Sequence, residues 1–245
     1  MQVHFISDLH LTVDRPALTA IFERYLAGPA RDAEALYILG DLYEYWAGDD
    51  DHEDPLNDSL ANQLAALAQS GTRIHFMPGN RDFLIGAEFA RRARLDILPE
   101  PTLIRLGTQA VLLCHGDSLC TDDTAYQAFR AQVRTQAYQT QFLGQPLVAR
   151  KQFIAGIRQK SEAAKAGKSA EIMDANSDAI ASLLRSHNYP LLIHGHTHRP
   201  ARHQIEVDGH TCERWVLADW RESEGKAQGE VLVWADGVLS RQPLE

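Results

Sequence analysis

The feature that most constrains the fold of this sequence is a series of short apolar runs, each followed at once by polar residues. The runs have four or five residues and end at turn-forming residues, a pattern that indicates buried β-strands. They cover residues 3–7, 35–39, 73–77, 110–114 and 191–194. Residues 17–26 and 56–68, which lie between the first three runs, have helical periodicity. This alternation predicts β-α-β units and therefore an α/β fold.

The polar residues that follow these runs form five blocks rich in groups that bind divalent cations. The blocks are Asp8-Leu9-His10, Gly40-Asp41, Gly79-Asn80-Arg81-Asp82, His115-Gly116-Asp117 and Gly195-His196-Thr197-His198. In an open α/β sheet, the loops at the carboxyl ends of the strands meet at one edge. The candidate ligands are oxygen and imidazole donors, which suit a pair of divalent cations. They are Asp8, His10, Asp41, Asn80, His115, His196 and His198.

The order of these blocks predicts a site that hydrolyses phosphoesters. Two cations held close together activate a shared water and stabilise the charge of a phosphoryl group. Asp41 is the candidate bridge, because a carboxylate has two oxygens that can face different cations. Arg81, next to Asn80, is expected to bind phosphate oxygens through its planar guanidinium. Asp82 and Asp117 are expected to orient Arg81 or a ligand imidazole.

Several other polar residues near the blocks are expected to have ordinary structural roles. His194 precedes the last block, and strand alternation predicts that it points away from His196. Glu44 is expected not to be a ligand. Residues 49–54 are strongly acidic but lack the spacing of a calcium loop, so a solvated loop is expected.

Residues 122–187 have a helical pattern without strand-like alternation and interrupt the series of strands. We expect them to form a helical cap over the metal edge, inserted into a core made of residues 1–121 and 188–245. Within this insertion, residues 124–173 contain eight Lys and Arg against two Glu, although the whole chain has a net charge of −9. The C-terminal segments 204–207, 211–218, 230–235 and 238–241 alternate, and they are expected to be antiparallel strands that complete a second sheet.

Composition excludes several classes of protein. The negative net charge argues against an extended nucleic-acid-binding surface, and no segment indicates an obligate protein partner. The N-terminal residues lack the basic and long apolar segments of a signal peptide, and no run of about 18 apolar residues is present. A cytoplasmic location is therefore expected.

The five blocks resemble those of the calcineurin-like metallophosphoesterase superfamily, although Arg81 stands where that superfamily usually has a catalytic histidine. The wider motifs resemble the UDP-2,3-diacylglucosamine diphosphatase family of Gram-negative bacteria over nearly the whole chain. These motifs are I-S-D-L-H-L, G-D-L-Y-E-Y-W, M-P-G-N-R-D-F-L, L-C-H-G-D and H-G-H-T-H-R-P. The resemblance implies a β-sandwich flanked by helices, with a helical cap insertion.

The resemblance also implies an activity and a set of site residues. The family hydrolyses the pyrophosphate bond of UDP-2,3-diacylglucosamine to UMP and 2,3-diacylglucosamine 1-phosphate, with two Mn²⁺ ions. It acts peripherally at the cytoplasmic side of the inner membrane, an anionic surface. One ion would be held by Asp8, His10, Asp41 and His198, and the other by Asp41, Asn80, His115 and His196. The substrate would contact Asn80, Arg81, Asp123, Ser161, Lys165, Lys168 and His196, with Asp41, Arg81 and His196 as catalytic residues.

Two other functions remain open from the sequence. One is a phosphodiesterase or phosphatase of the same superfamily that acts on a soluble substrate. The other is a non-catalytic scaffold with the same fold, for which loss of ligands would be expected. All seven candidate ligands are present.

Overall fold

The computed structural model of the chain describes residues 2–165, 172, 174–223 and 226–244, with the backbone alone at 160–165 and 223. The strands are β1 Gln2–Ile6, β2 Ala35–Ile38, β3 Arg73–Phe76, β4 Leu95–Ile97, β5 Thr102–Leu106, β6 Gln109–Leu113, β7 Leu191–His194, β8 Ala201–Val207, β9 His210–Val216, β10 Arg221–Ser223, β11 Lys226–Ala235 and β12 Val238–Leu244. The α-helices are α1 Pro16–Ala27, α2 Pro55–Gln69, α3 Ala87–Ala93, α4 Thr124–Val133, α5 Gln136–Leu143, α6 Leu147–Lys165 and α7 Ser177–Ser186. Short 3₁₀ helices cover Pro29–Asp32 and Asp117–Leu119.

The strands form two sheets that pack face to face. In the first sheet the order is β10-β11-β1-β2-β3-β4, and β12 also pairs with β11. Strands β1 to β4 run parallel, while β11 pairs antiparallel with β1. The second sheet has the order β5-β6-β7-β9-β8, in which β6, β7 and β9 run parallel. In both sheets the carboxyl ends of the parallel strands therefore lead into the polar blocks.

Alternation along the strands produces three apolar layers. Ile6, Ile38 and Phe76 face α1 and α2, whereas Phe5 and Leu39 face the second sheet. On β6 and β7, one set of side chains packs between the sheets and the other packs against α7. The molecule is thus a β-sandwich with helices on both outer faces, as the family resemblance implies. Strands that are buried on both faces need a layer on each side.

The five predicted strands at the polar blocks and the two predicted helices are confirmed. The prediction that all the C-terminal strands complete the second sheet is wrong for β11 and β12, which belong to the first sheet. Strand β11 pairs with the edge of β1 that β2 leaves open. Alternation reports which faces of a strand are buried, but it does not report which strand lies beside it.

Helices α4, α5 and α7 of the insertion begin at residues whose side chains satisfy free backbone N–H groups. Asp123 accepts from the N–H of Tyr126 at the start of α4, Thr135 caps α5, and Asn176 caps α7. In the described part of residues 122–187, the regular structure is helical, as the sequence predicts. Among the described helices, none combines the length and the hydropathy that crossing a bilayer requires.

Basic side chains of the insertion dock it onto the core. Arg130 of α4 pairs with Glu100 and Asp117, and Arg134 donates to the carbonyl of Gly79 at 2.9 Å. In α6 the buried Arg150 pairs with Asp50, Lys151 pairs with Asp51, and Arg158 pairs with Glu44. Among the side chains that the structure describes, the positive charge of the insertion is therefore matched by carboxylates of the core. The acidic segment 49–54 is therefore not only the solvated loop that was expected. Its carboxylates at Asp50 and Asp51 pair with Arg150 and Lys151 of α6.

Candidate metal centre

Most candidate ligands lie in loops at the strand ends and have a left-handed backbone conformation. Asp8, His10, Asp41, His196 and His198 all have a φ between 50° and 66°. This left-handed region is unfavourable for residues with a Cβ and is found where the surrounding structure enforces it, often at functional sites. The chain turns sharply after β1, β2 and β7, and the side chains converge at one edge.

The first cluster consists of Asp8, His10 and His198, whose ligand atoms all lie within 4.8 Å of one another. The Nε2 atoms of His10 and His198 are 3.4 Å apart, and Nε2 of His198 is 3.4 Å from Oδ1 of Asp8. Asp8 and His10 are buried, whereas the side chain of His198 is 40% exposed. The cluster is therefore open to solvent on one side.

The second cluster consists of Asp41, His115 and His196, also within 4.8 Å of one another. Asn80 joins it, because its Oδ1 lies 3.0 Å from Nε2 of His115. The ring of His196 packs edge-on against His115, with centroids 5.0 Å apart, and is stacked with Tyr126 of α4.

Asp41 lies between the two clusters. Its Oδ2 is 3.9 Å from Nε2 of His10 in the first cluster, and its Oδ1 is 3.7 Å from Nε2 of His115 in the second. Each carboxylate oxygen thus faces a different cluster. This is the arrangement that a bridging carboxylate requires.

Hydrogen bonds fix the ligand atoms that face the clusters. Asp8 accepts at Oδ2 from Ser7 Oγ and from the backbone N–H of His196, while its buried Oδ1 has no hydrogen-bond partner. Nδ1 of His115 donates to the carbonyl of Leu39 at 2.8 Å, which leaves Nε2 for the cluster. A buried carboxylate oxygen without a donor and a ring nitrogen set in this way fit a divalent cation.

Burial and charge shift the pKa values of these groups strongly. Burial raises the pKa of Asp41 to about 7. Burial alone would lower the pKa of His115, but the carboxylates of Asp41, Asp117 and Asp8 raise it to about 9. Burial lowers the pKa of His196 to about 3.

Two glycines permit the close approach of the loops. A Cβ at Gly79 would lie 2.2 Å from Oδ1 of Asp41, and one at Gly195 would lie 2.3 Å from Oδ2 of Asp8. Both contacts are far shorter than any real Cβ contact, so these positions require glycine while the ligands keep their places.

The expected roles of Asp82 and Asp117 in orienting Arg81 or an imidazole are replaced by other contacts. Asp82 is fully buried and accepts from the backbone N–H groups of Gly79 and Leu42, at 2.9 and 2.7 Å. It therefore ties two ligand-bearing loops together rather than contacting the guanidinium. Asp117 accepts from Tyr126 and Arg130 of the insertion. Both carboxylates follow a candidate ligand closely in sequence, but their hydrogen bonds go to donors on other loops and on α4.

Glu44 is the residue at this edge that sequence reasoning missed. It lies outside both clusters, and the expectation that it is not a ligand stays a prediction. Its buried carboxylate nevertheless contacts His10, Arg15, Arg81 and Arg158. A single glutamate after a tyrosine gives no sequence signal for this set of partners.

The residues expected to contact a substrate are brought together only in part. Asn80, Arg81 and His196 lie at the clusters, and the amide N–H of Arg81 donates to Oδ1 of Asp41. Asp123 is the N-cap of α4. The side chains of Ser161 and Lys165, and the whole of Lys168, lie outside the described residues. His194 is fully buried, with Nδ1 directed at the carbonyl of Gly195.

A two-sheet sandwich with paired clusters of carboxylates and imidazoles at its strand ends defines a metal-dependent phosphoesterase. The model of the calcineurin-like phosphoesterase family matches residues 1–200, and the chain belongs to that family. Such proteins use divalent metal ions, which the donor set described above fits.

Proteins of similar sequence indicate which phosphoesterases this chain is related to. A UDP-2,3-diacylglucosamine hydrolase of Aromatoleum aromaticum is 60% identical, covering 91% of this chain and 90% of its own. One from Escherichia coli is 49% identical over 97% of each chain. The chain therefore belongs to the UDP-2,3-diacylglucosamine hydrolase family and is a hydrolase. Among solved structures, an archaeal phosphodiesterase aligns over 100% of both chains with 11% identity and a TM-score of 0.48.

Proposed function

We propose that the protein hydrolyses the pyrophosphate bond of UDP-2,3-diacylglucosamine, with water attacking the α-phosphate to give UMP and 2,3-diacylglucosamine 1-phosphate. The names of relatives at 49–60% identity support the substrate. The observation that carries the proposal is the position of Asp41, whose two carboxylate oxygens face different clusters. A site with two neighbouring cations suits a diphosphate better than a single-cation site does, because both attacking and leaving oxygens need charge stabilisation.

The donor set defines which residues would hold the ions. Asp8, His10 and His198 would hold one ion, Asn80, His115 and His196 the other, and Asp41 would contact both. When bound, the ions would lower the pKa of a shared water and stabilise the charge on the phosphoryl oxygens. Oxygen and imidazole donors without thiolates suit Mn²⁺, which we propose as the metal.

The protein's own groups would orient the diphosphate. Arg81 lies beside Asp41 through its backbone N–H, and its guanidinium lies 3.4 Å from a carboxylate oxygen of Glu44. A planar guanidinium held in this way can bind two phosphate oxygens in the transition state. His196 lies between Tyr126 and His115, where its ring can face both an ion and the scissile phosphate.

Apolar side chains on the insertion support recognition of acyl chains. Phe142 is buried and, with Ile154, packs against the core, so these two residues dock the insertion. Leu143, Val148, Phe153 and Phe129 are between 36% and 62% exposed, which leaves apolar surface on α4, α5 and α6. We propose that residues 122–187 form a cap that binds the acyl chains near the metal centre. The same surface would sit at the cytoplasmic face of the inner membrane, where the substrate's chains are held.

The experiment that tests the proposal measures Mn²⁺-dependent release of UMP from the diacylated nucleotide. Release of UMP, and not of UDP, is expected. Cyclic nucleotides and p-nitrophenyl phosphates serve as comparison substrates and should be turned over far more slowly. Phe153→Asp in the intact protein should weaken turnover of the diacylated substrate while leaving a small activated diester unaffected. Equal losses on both substrates would contradict the role of the cap, and preferred cleavage of a soluble diester would contradict the substrate.

A further inference from the structure

Glu44 occupies a position that its surroundings define closely. Its backbone N–H donates to the carbonyl of Leu11 at 3.0 Å, next to the bridge between Leu11 and Tyr43. This contact fixes the loop after β2 to the loop after β1. The side chain is only 9% exposed, and the two carboxylate oxygens face different groups. A buried carboxylate needs charged or hydrogen-bonded partners, and Glu44 has both kinds nearby.

One oxygen faces a candidate metal ligand. Oε2 lies 3.4 Å from Nδ1 of His10, a buried nitrogen that otherwise has no hydrogen-bond partner. Nε2 of the same ring faces the first cluster, 3.4 Å from Nε2 of His198. A carboxylate behind the far nitrogen of a metal-binding imidazole fixes the ring orientation, keeps the proton on that nitrogen and increases the basicity of the ligand nitrogen.

The other oxygen faces two guanidinium groups from distant parts of the chain. Oε1 lies 3.4 Å from Nη1 of Arg81 and 2.7 Å from Nη2 of Arg158. Arg81 comes from the loop that holds Asn80, whereas Arg158 comes from α6 of the insertion. Arg15 approaches Oε2 at 3.9 Å from the solvent side. One negative charge among three guanidinium groups orients them without neutralising them, so they remain able to bind an anion.

We propose that Glu44 is a positioning residue that connects the first metal cluster to helix α6. Through Oε2 it holds His10 in the orientation that binds the ion, and through Oε1 it holds Arg81 and Arg158 side by side, facing the diphosphate. The inference rests on the proposed two-metal function. In this role, the carboxylate of Glu44 couples the ion that His10 would bind to the position of the insertion.

If Glu44 only neutralised nearby arginines, its substitution would have different effects on stability and on metal affinity. Loss of such a residue would lower stability and leave the affinity of the folded protein for each metal ion unchanged. A positioning residue instead changes metal affinity at one cluster only, because His10 belongs to the first cluster and His115 to the second. Metal binding in the absence of substrate therefore separates the two roles.

The test measures Mn²⁺ binding to the full-length protein by calorimetric titration, without substrate. Glu44→Gln keeps the shape of the side chain and removes its charge. We expect the affinity for one ion to fall about 10–100-fold, the usual effect of losing a carboxylate behind a metal-binding histidine. The affinity for the other ion should stay within about threefold of wild type. Glu34→Gln is the matched control, since Glu34 pairs with Arg73 at the opposite end of β2 and should change neither affinity.

A second measurement addresses the two arginines. Glu44→Gln and Arg158→Gln are each expected to raise KM for the diacylated nucleotide at saturating Mn²⁺. The double variant should raise KM by no more than about threefold beyond the worse single variant, because the two residues act as one unit. Effects that multiply independently would overturn the connection to α6.

A further variant covers the case in which Glu44→Gln does not fold. Glu44→Asp retains the charge that pairs with the guanidiniums but withdraws the carboxylate from His10 by one methylene, and it should show the same loss at one ion. A wild-type protein that binds no pair of ions would refute the proposed function itself. A wild-type protein that binds two ions, together with a folded Glu44 variant that binds both equally well, would overturn this inference alone.

Discussion

The carboxylate of Asp8 accepts a hydrogen bond of 2.8 Å from the backbone N–H of His196, 188 positions further along the chain. Asp8 follows β1 in the first sheet, and His196 follows β7 in the second. One hydrogen bond thus joins the two sheets at the metal edge. It also occupies the oxygen of Asp8 that faces away from the cluster, so the sandwich must assemble before the first cluster has its geometry.

Asp8→Asn is expected to remove one ion and leave the other. The amide keeps the size of the side chain, but it lacks the negative charge that the first cluster offers to a cation. The second cluster does not contain Asp8 and should retain its ion. Atomic emission spectrometry of the purified protein should find about one ion per chain. Two ions per chain would contradict the assignment of Asp8 to the first cluster.

Asp41→Ala is expected to remove both ions, because each of its oxygens faces a different cluster. Activity should fall to the background of the assay. His210→Ala is the control, since its ring stacks on Tyr189 away from the metal edge, and it should keep both ions and the activity. If one or both ions remain in Asp41→Ala, the bridging role is wrong.

Arg81→Ala is expected to lower kcat/KM by about 10²–10³, the effect of losing one preorganised electrostatic donor. The metal content should stay at two ions, because the ligand atoms do not include the guanidinium. Arg81→Lys should restore little, since an ammonium group cannot make two parallel hydrogen bonds to a phosphate. Near-normal kcat/KM in Arg81→Ala would exclude a role in the transition state, and near-normal kcat/KM in Arg81→Lys would exclude a need for the planar group.

Metal affinity is expected to rise with pH. The pKa of Asp41 is raised to about 7 by burial, and that of His115 is raised to about 9 by nearby carboxylates. Both groups must lose their protons to bind a cation, so protons compete with the metal. The affinity should fall about tenfold per pH unit between about pH 9 and pH 7, and more steeply below pH 7. Calorimetry in buffers of different ionisation enthalpy would measure the released protons; a pH-independent affinity would contradict this.

Arg150→Met is expected to destabilise the protein by about 1–3 kcal/mol, because the buried guanidinium donates to the carbonyls of Ala47 and Gln145 and pairs with Asp50. Arg185→Met removes a similar but exposed pair with Asp208 and should destabilise the protein much less, because solvent screens an exposed ion pair. Chemical denaturation of both variants measures the difference. Hydrogen exchange in α6 should increase in Arg150→Met only.

The metal edge could be predicted from sequence because each ligand block follows a short apolar run bounded by turn residues, a pattern that indicates a buried strand. The partners of Glu44 could not be predicted, since His10, Arg81 and Arg158 meet only after the insertion has folded back onto the core. The position of β11 beside β1 could not be predicted for a similar reason. The local sequence pattern indicates which faces of a strand are buried. Which strand lies beside it depends on which sheet edge is still unpaired in the folded chain.

The left-handed backbone at five candidate ligands has a consequence for protein design. At each position a residue with a Cβ holds a conformation that costs about 1–2 kcal/mol relative to glycine. The directions of the ligands are therefore built into the main chain rather than chosen among side-chain rotamers. A designer who grafted the same seven side chains onto another sandwich would obtain the right chemical groups aimed in the wrong directions. The loops themselves, with their turns and glycines, are the smallest unit that could be transplanted.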